Sequence, residues 1–216
     1  MPATTASLRV VPVTDAPWDD VRTVFGARGD PARCWCQYFK VDAQTWKAQD
    51  VAAFEQALCD QTDQARAAHG AGPGVLAYDG DEPVGWCAVE QRTAYRRILN
   101  SQLVNESDEQ LDASDVWFVS CFVVRVGHRR KGVAGALLEG AVAHARAHGA
   151  RVIEAFPVAA GPGTSSADLY HGPLSAFEAA GFETVARPSD HRAVVRMELR
   201  WSSGAEPGGA ESGRAR

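Results

Sequence analysis

The sequence predicts an α/β fold built on one sheet that holds both antiparallel and parallel strands, and three segments predict it. Residues 75–78 and 83–89 are apolar runs separated by Asp79-Gly80-Asp81-Glu82, a strand, turn, strand pattern that makes an antiparallel hairpin. Residues 116–124 form a nearly continuous apolar, β-branched and aromatic run, as a strand buried on both faces requires. That run leads through a basic turn into an amphipathic helix and then into a further strand at 151–158. Such a unit closes with parallel strands and a right-handed crossover.

The remaining elements follow in order. Residues 8–13 alternate weakly and read as an opening strand. Asp15 is placed to cap a helix whose first turn holds Pro17 and whose apolar face is Trp18, Val21, Val24 and Phe25. Gly29-Asp30-Pro31 is expected to break it, and the aromatic stretch 34–39 follows. A second helical region is expected over 43–68, with Val51, Phe54 and Leu58 as its stripe, until the Gly- and Pro-rich residues 70–74 end it. Tyr95, Ile98 and Leu99 suggest a short helix, and the polar residues 105–114 an exposed loop. In the helix after the basic turn, Val133, Leu137, Leu138, Ala141, Val142 and Ala145 form one stripe, and Gly149 stops it. A loop at 161–166, a short helix at 173–180 and strands at 182–185 and 194–199 complete one domain over 1–200. Residues 201–216, rich in Gly, Ser, Ala and Glu, are expected to be a disordered tail.

Composition narrows the function. A chain of 216 residues with 45% hydrophobic residues can bury one sizeable core. The net charge of -5 disfavours general binding to nucleic acid or anionic membrane, which needs a cationic surface. No apolar run reaches the roughly 18 residues of a membrane span, and the N-terminus lacks an export signal, so a cytoplasmic protein is expected. Cys34, Cys36, Cys59, Cys87 and Cys121 are an odd set that suits reduced thiols. Cys34-Trp35-Cys36 has one intervening residue, a poor match to zinc-ligand spacing, so no metal is expected.

The informative stretch runs from Phe122 to Leu138. A buried strand there delivers the chain to Gly132, Ala134 and Gly135, where backbone N–H groups can approach a ligand closely. The helix N-terminus adds partial positive charge, and Arg129, Arg130 and Lys131 add full charges. Together they suit a pyrophosphate; a solvated basic turn is the plainer account. The chain has no Gly-x-x-x-x-Gly-Lys-Ser/Thr, and no Gly-x-Gly-x-x-Gly followed by an acidic ribose ligand.

Arg129-Arg130-Lys131-Gly132-Val133-Ala134 resembles the Gln/Arg-x-x-Gly-x-Gly/Ala coenzyme A signature of the GNAT acetyltransferase superfamily. The strand before it, the helix after it, the next strand and the terminal Gly181-Phe182 fall in that family's order, over about residues 8–200. The resemblance implies a mixed, mostly antiparallel sheet with a splayed parallel strand pair, flanked by helices. It implies acetyl-CoA as co-substrate and an amine of a small molecule or peptide as acceptor, with a homodimer as a further expectation. Backbone groups of Phe122, Val123 and Val124 would meet the pantetheine arm, and residues 129–135, Val133 among them, the pyrophosphate. The family commonly has tyrosine where Phe177 stands here, a position expected beside the cofactor, so a phenol acid from that position is excluded.

For proton transfer, Tyr170 is a substitute acid, with a buried core tyrosine as its equal alternative. Glu90, at the end of a strand, is the first choice of base, with an exposed strand-end charge as the bland reading. Glu154, inside an apolar strand, needs a partner if ionised and is the second choice. His144 and His148 share a helix face read as solvated, and Cys121 reads as a packed thiol. The acceptor pocket is expected among the first two helices, residues 34–39 and residues 86–95. A non-catalytic acyl-CoA-binding module is the rival reading, kept open by Phe177.

Overall fold

The computed structural model describes residues 8–159, 164–165 and 167–199. The expected tail at 201–216 and most of the 161–166 loop lie outside them. Seven strands form one sheet: β1 (Leu8–Pro12), β2 (Gly74–Asp79), β3 (Glu82–Gln91), β4 (Val116–Val124), β5 (Val152–Ala155), β6 (Glu183–Ser189) and β7 (Arg192–Glu198), in the order β1-β2-β3-β4-β5-β7-β6. Only β4 and β5 pair in parallel; every other neighbour is antiparallel. The helices are α1 (Trp18–Phe25), α2 (Gly29–Cys34), α3 (Ala43–Ala48), α4 (Val51–Ala67), α5 (Arg96–Leu99), α6 (Val133–Ala147) and α7 (Leu174–Ala179).

The sheet is covered on both faces. Val84, Cys87 and Val89 of β3 and Trp117, Val119 and Phe122 of β4 face α6, packed with Leu137, Leu138 and Ala141. Leu137 and Leu138 are fully buried, which is worth about 1.5–3 kcal/mol each. Gly85 sits directly under α6: a Cβ there would lie 2.8 Å from Val133 Cγ1, so any side chain would push the helix off the sheet. The opposite face carries Leu76, Trp86, Ala88 and Val123 against Val21, Val24, Phe25, Phe54 and Leu58.

Several expectations need correction. Asp15 is no helix cap: it closes a 3₁₀ turn over Val13–Asp15, and Pro17 precedes α1 as its cap residue. Gly29-Asp30-Pro31 starts α2 instead of breaking a helix, because a proline in the first turn removes an N–H that has no intrahelical acceptor. The region 43–68 is two helices, since Gln49 turns left-handed (φ 51°). Asp42 caps α3 through the Thr45 N–H at 2.8 Å, and Asp50 caps α4 through the Ala53 N–H at 3.0 Å. Replacing Asp50 by alanine is expected to cost about 1 kcal/mol, read as a lower urea midpoint with unchanged slope.

His144 is buried at 4% exposure and not on a solvated face. Its Nε2 donates to the Gly72 carbonyl at 3.2 Å, and its ring meets Trp117 edge-on. Burial pushes its pKa down to about 4, below the usual 6.5. The unfolded chain therefore binds a proton that the folded chain refuses, and stability falls as pH drops from about 6.5 to about 4. The loss reaches about 3 kcal/mol for this group. Unfolding curves across that window should show it, and His144→Phe should flatten it.

Candidate active site

After Val119, β4 and β5 part. The parallel register runs only from Val116↔Val152 to Val119↔Ala155, so residues 120–124 have β3 on one side and no strand on the other. The separation coincides with a bulge: Ala88 pairs with Cys121 and Val89 with Val119, leaving Ser120 as the extra residue. The strand is thereby re-aimed, and Ser120, Cys121 and Val123 line a cavity of 340 Å³ on the face away from α6. The α2 segment, with Asp30 and Arg33, and Cys36, Tyr38 and Phe39 supply most of the opposite wall, and Phe25, Trp46, Tyr170 and His171 are among the other lining residues.

Some of the residues expected around an acceptor line this cavity and others do not. Residues 34–39 line the cavity through Cys34, Cys36, Tyr38 and Phe39, turned inward by left-handed backbone at Trp35 and Cys36 (φ 46° and 54°). Trp86 and Tyr95 do not line it; both are fully buried. The Cys34 thiol is pushed above its usual range by burial and by Cys36, and the Cys121 thiol by Cys36 and by burial. Protonated thiols of this kind make an apolar wall. No group of three or more metal-ligating side chains occurs among the described residues.

On the other side of the splay lies the N-terminus of α6. Gly132 precedes it in left-handed conformation (φ 82°), which the turn from 126 to 132 needs, and no side chain caps the helix. The N–H groups of Val133, Ala134 and Gly135 are the first in the helix and have no intrahelical acceptor. A Cβ on Gly132 or Gly135 would meet nothing within 4 Å, so both face open space. Arg129, Arg130 and Lys131 are exposed and in no ion pair among the described residues. Bare amides, a helix N-terminus and three unpaired cations fit a pyrophosphate. Arg129 also donates from Nε to the Val124 carbonyl at 3.3 Å, which ties the turn to the strand end.

The expected proton-transfer residues separate. Tyr170 stands in the cavity wall, in a 3₁₀ turn over Asp168–His171, with its phenol pushed above 10 by burial and the nearby Asp30. Glu90 does not line the cavity; it is ion-paired with Lys40, whose Nζ also donates to Gln61 Oε1 at 2.5 Å. Ser120 lines the cavity, and the buried Tyr95 is near enough to feel both Ser120 and Glu90. Burial and then the Glu90 charge push the Tyr95 hydroxyl well up, and the Tyr95 and Ser120 hydroxyls are both buried with no hydrogen-bond partner among the described residues. Phe177 is fully buried against Phe122 and Phe182, with ring centroids 5.9 and 5.1 Å apart, so it is a core residue at the root of the splay.

Glu154 is satisfied elsewhere. Its carboxylate accepts from Arg92 Nη1 at 2.7 Å and from the Ser107 hydroxyl at 2.5 Å, and both charged side chains are fully buried. Arg92 Nη2 donates in turn to the Glu109 and Gln110 carbonyls, so the 105–114 segment is an anchored strap and not only an exposed loop.

Sequence reasoning missed His171. It lines the 340 Å³ cavity and a second one of 490 Å³, sits 5.6 Å from the Phe39 ring, and is pushed down to about 4 by burial and by Arg192. An uncharged imidazole there gives an amine no like charge to meet. The only cue in the sequence was its place next to Tyr170.

The model of the acetyltransferase (GNAT) family matches residues 34–172. No curated protein sequence matches the chain. Solved structures do: the PaiA N-acetyltransferase of Thermoplasma acidophilum in complex with coenzyme A is 9% identical, with 89% of this chain and 99% of that one covered at a TM-score of 0.51. An N-acetyltransferase of Staphylococcus aureus Mu50 is 14% identical, with 90% and 99% covered and the same TM-score of 0.51. At these identities the likeness is one of fold.

Proposed function

The chain belongs to the acetyltransferase (GNAT) family, and from that premise we propose that it transfers the acetyl group of acetyl-CoA directly to a primary amine of a small molecule or peptide. The observation that carries the proposal is the parting of β4 from β5 after Val119, with an anion-ready helix end on one side of the gap and a lined cavity on the other. In this reading the amides of residues 132–135, with Arg129, Arg130 and Lys131, hold the pyrophosphate. The open edge of β4 at residues 122–124 receives the pantetheine arm.

The acceptor enters the 340 Å³ cavity and its nitrogen lone pair forms a bond to the thioester carbonyl carbon. The carbon–sulfur bond breaks, and the departing thiolate takes a proton. Tyr170 is placed to give it, because its phenol, protonated at neutral pH, stands in the cavity wall. Glu90, whose charge is felt at the buried Tyr95 hydroxyl near Ser120, takes the proton lost by the amine through water. Phe177, in the core, then needs no proton-transfer role.

Free-thiol release from acetyl-CoA against a panel of amines tests this. Tyr170→Phe and Glu90→Gln are each expected to lower kcat by about 10²-fold with acetyl-CoA affinity unchanged. Full turnover in both variants would reduce the protein's part to positioning. Acetyl-CoA binding with no acceptor-dependent release would favour an acyl-CoA-sensing module instead.

A further inference from the structure

The second cavity carries an inference about the acceptor that rests on the acetyl-transfer reading. The two cavities share Tyr38, Phe39 and His171 and so adjoin on the same face of the sheet. Their ends differ in charge. The first has Ser120 and Cys121 of the bulge as its floor and one charge of each sign, Asp30 and Arg33, in its wall. The second is lined by Arg97 and Arg192, with Asn100 and Ser101, and has no carboxylate among its lining residues.

Arg97 is poised and incompletely used. Nε donates to the Val41 carbonyl at 2.9 Å and Nη2 to the Asp42 carbonyl at 3.0 Å, while the guanidinium lies over the Tyr38 ring at 4.6 Å. Among the described residues it is in no ion pair, and its Nη1 makes no hydrogen bond. The stacked, backbone-anchored guanidinium has therefore lost its rotamer freedom before any ligand arrives, which favours binding a planar carboxylate. Arg192 is held by Asp168 at 3.1 Å and adds a second positive group on the same wall.

We infer that the acceptor is an amine carrying a carboxylate at its far end, with an apolar or aromatic spacer between them. Its nitrogen lies at the bulge, its spacer runs over the Phe39 and His171 rings, and its carboxylate meets Arg97 and Arg192. The spacing follows from the strand. Ser120 lines the first cavity and Phe118 the second, about 7 Å apart at the rise of a strand. A free α-amino acid, whose amine and carboxylate are two bonds apart, spans too little to reach both ends.

The test is calorimetric titration of the whole chain, with coenzyme A present, with 4-(aminomethyl)phenylacetate, its primary amide and phenylalanine. The acid is expected to bind at least about ten-fold more tightly than the amide or phenylalanine. Arg97→Met should bring the acid to the level of the amide, and Arg192→Gln should narrow the difference without removing it. Equal binding of acid and amide to the wild type, or no binding of either, overturns the inference even if a variant fails to fold. Acid preference without acetylation keeps the anion site and rejects acetyl transfer. Acetylation of acid and amide alike does the reverse.

Discussion

Gly135→Glu is expected to weaken acetyl-CoA binding by about two to three orders of magnitude while leaving the fold at least as stable. Gly135 is the third residue of α6, where an acidic side chain suits the helix dipole and can reach back to a free N–H. The position faces open space, so the new side chain meets no packing obstacle. The same carboxylate would stand where the pyrophosphate is proposed to sit. Two like charges about 4 Å apart near a protein surface repel by about 4 kcal/mol, which is the source of the expected loss. Titration of acetyl-CoA against both proteins, with urea unfolding as control, separates the two effects. Unchanged affinity in a folded variant would remove the phosphate role from the α6 N-terminus.

Arg92→Met is expected to cost about 3–5 kcal/mol of stability, the largest effect of any single change at a distance from the groove. Arg92 and Glu154 are both fully buried, so removing the guanidinium strands a carboxylate away from water, with only the Ser107 hydroxyl left to it. The strap loses two further bonds at Glu109 and Gln110. Replacing both partners, as Arg92→Met with Glu154→Leu, should recover most of the loss, because no buried charge then remains. Urea midpoints of the single and double variants measure this as a cycle. A double variant no better than the single would show that the strap, and not the stranded charge, carries the energy.

These two sites also mark what can be read from a sequence and what cannot. The α6 N-terminus is local: strand, glycines, cations and helix lie within about twenty consecutive residues, and each leaves its own pattern. The β2–β3 hairpin and β4 are legible for the same reason, since a period of two or an unbroken apolar run depends on neighbours alone. The Arg92–Glu154 pair joins residues 62 positions apart. Glu154 could be seen to need a partner, but nothing near it says which. The break between α3 and α4 carries no glycine or proline to mark it, and the stripe Val51, Phe54 and Leu58 begins only after it, although Asp50 three residues before Ala53 was a readable cap.

The groove was half legible. Residues 34–39 and Tyr170 were expected near the acceptor, and they line the cavity. Glu90 was expected at its edge, whereas Ser120 reaches the cavity in its place. That exchange depends on a one-residue bulge in β4, which changes which side chains face the groove while leaving the apolar pattern nearly intact. Arg97 could not be chosen from among the neighbouring arginines, because what distinguishes it is its anchoring by the Val41 and Asp42 carbonyls.

The most direct test of acetyl transfer is to follow one reaction by two readouts, free coenzyme A thiol and the mass of the acceptor amine, over a panel that includes 4-(aminomethyl)phenylacetate. The account predicts that an amine gains an acetyl group in one-to-one amount with thiol released, and that release depends on that amine. Thiol release that no amine accelerates, with every acceptor recovered unchanged, would contradict it.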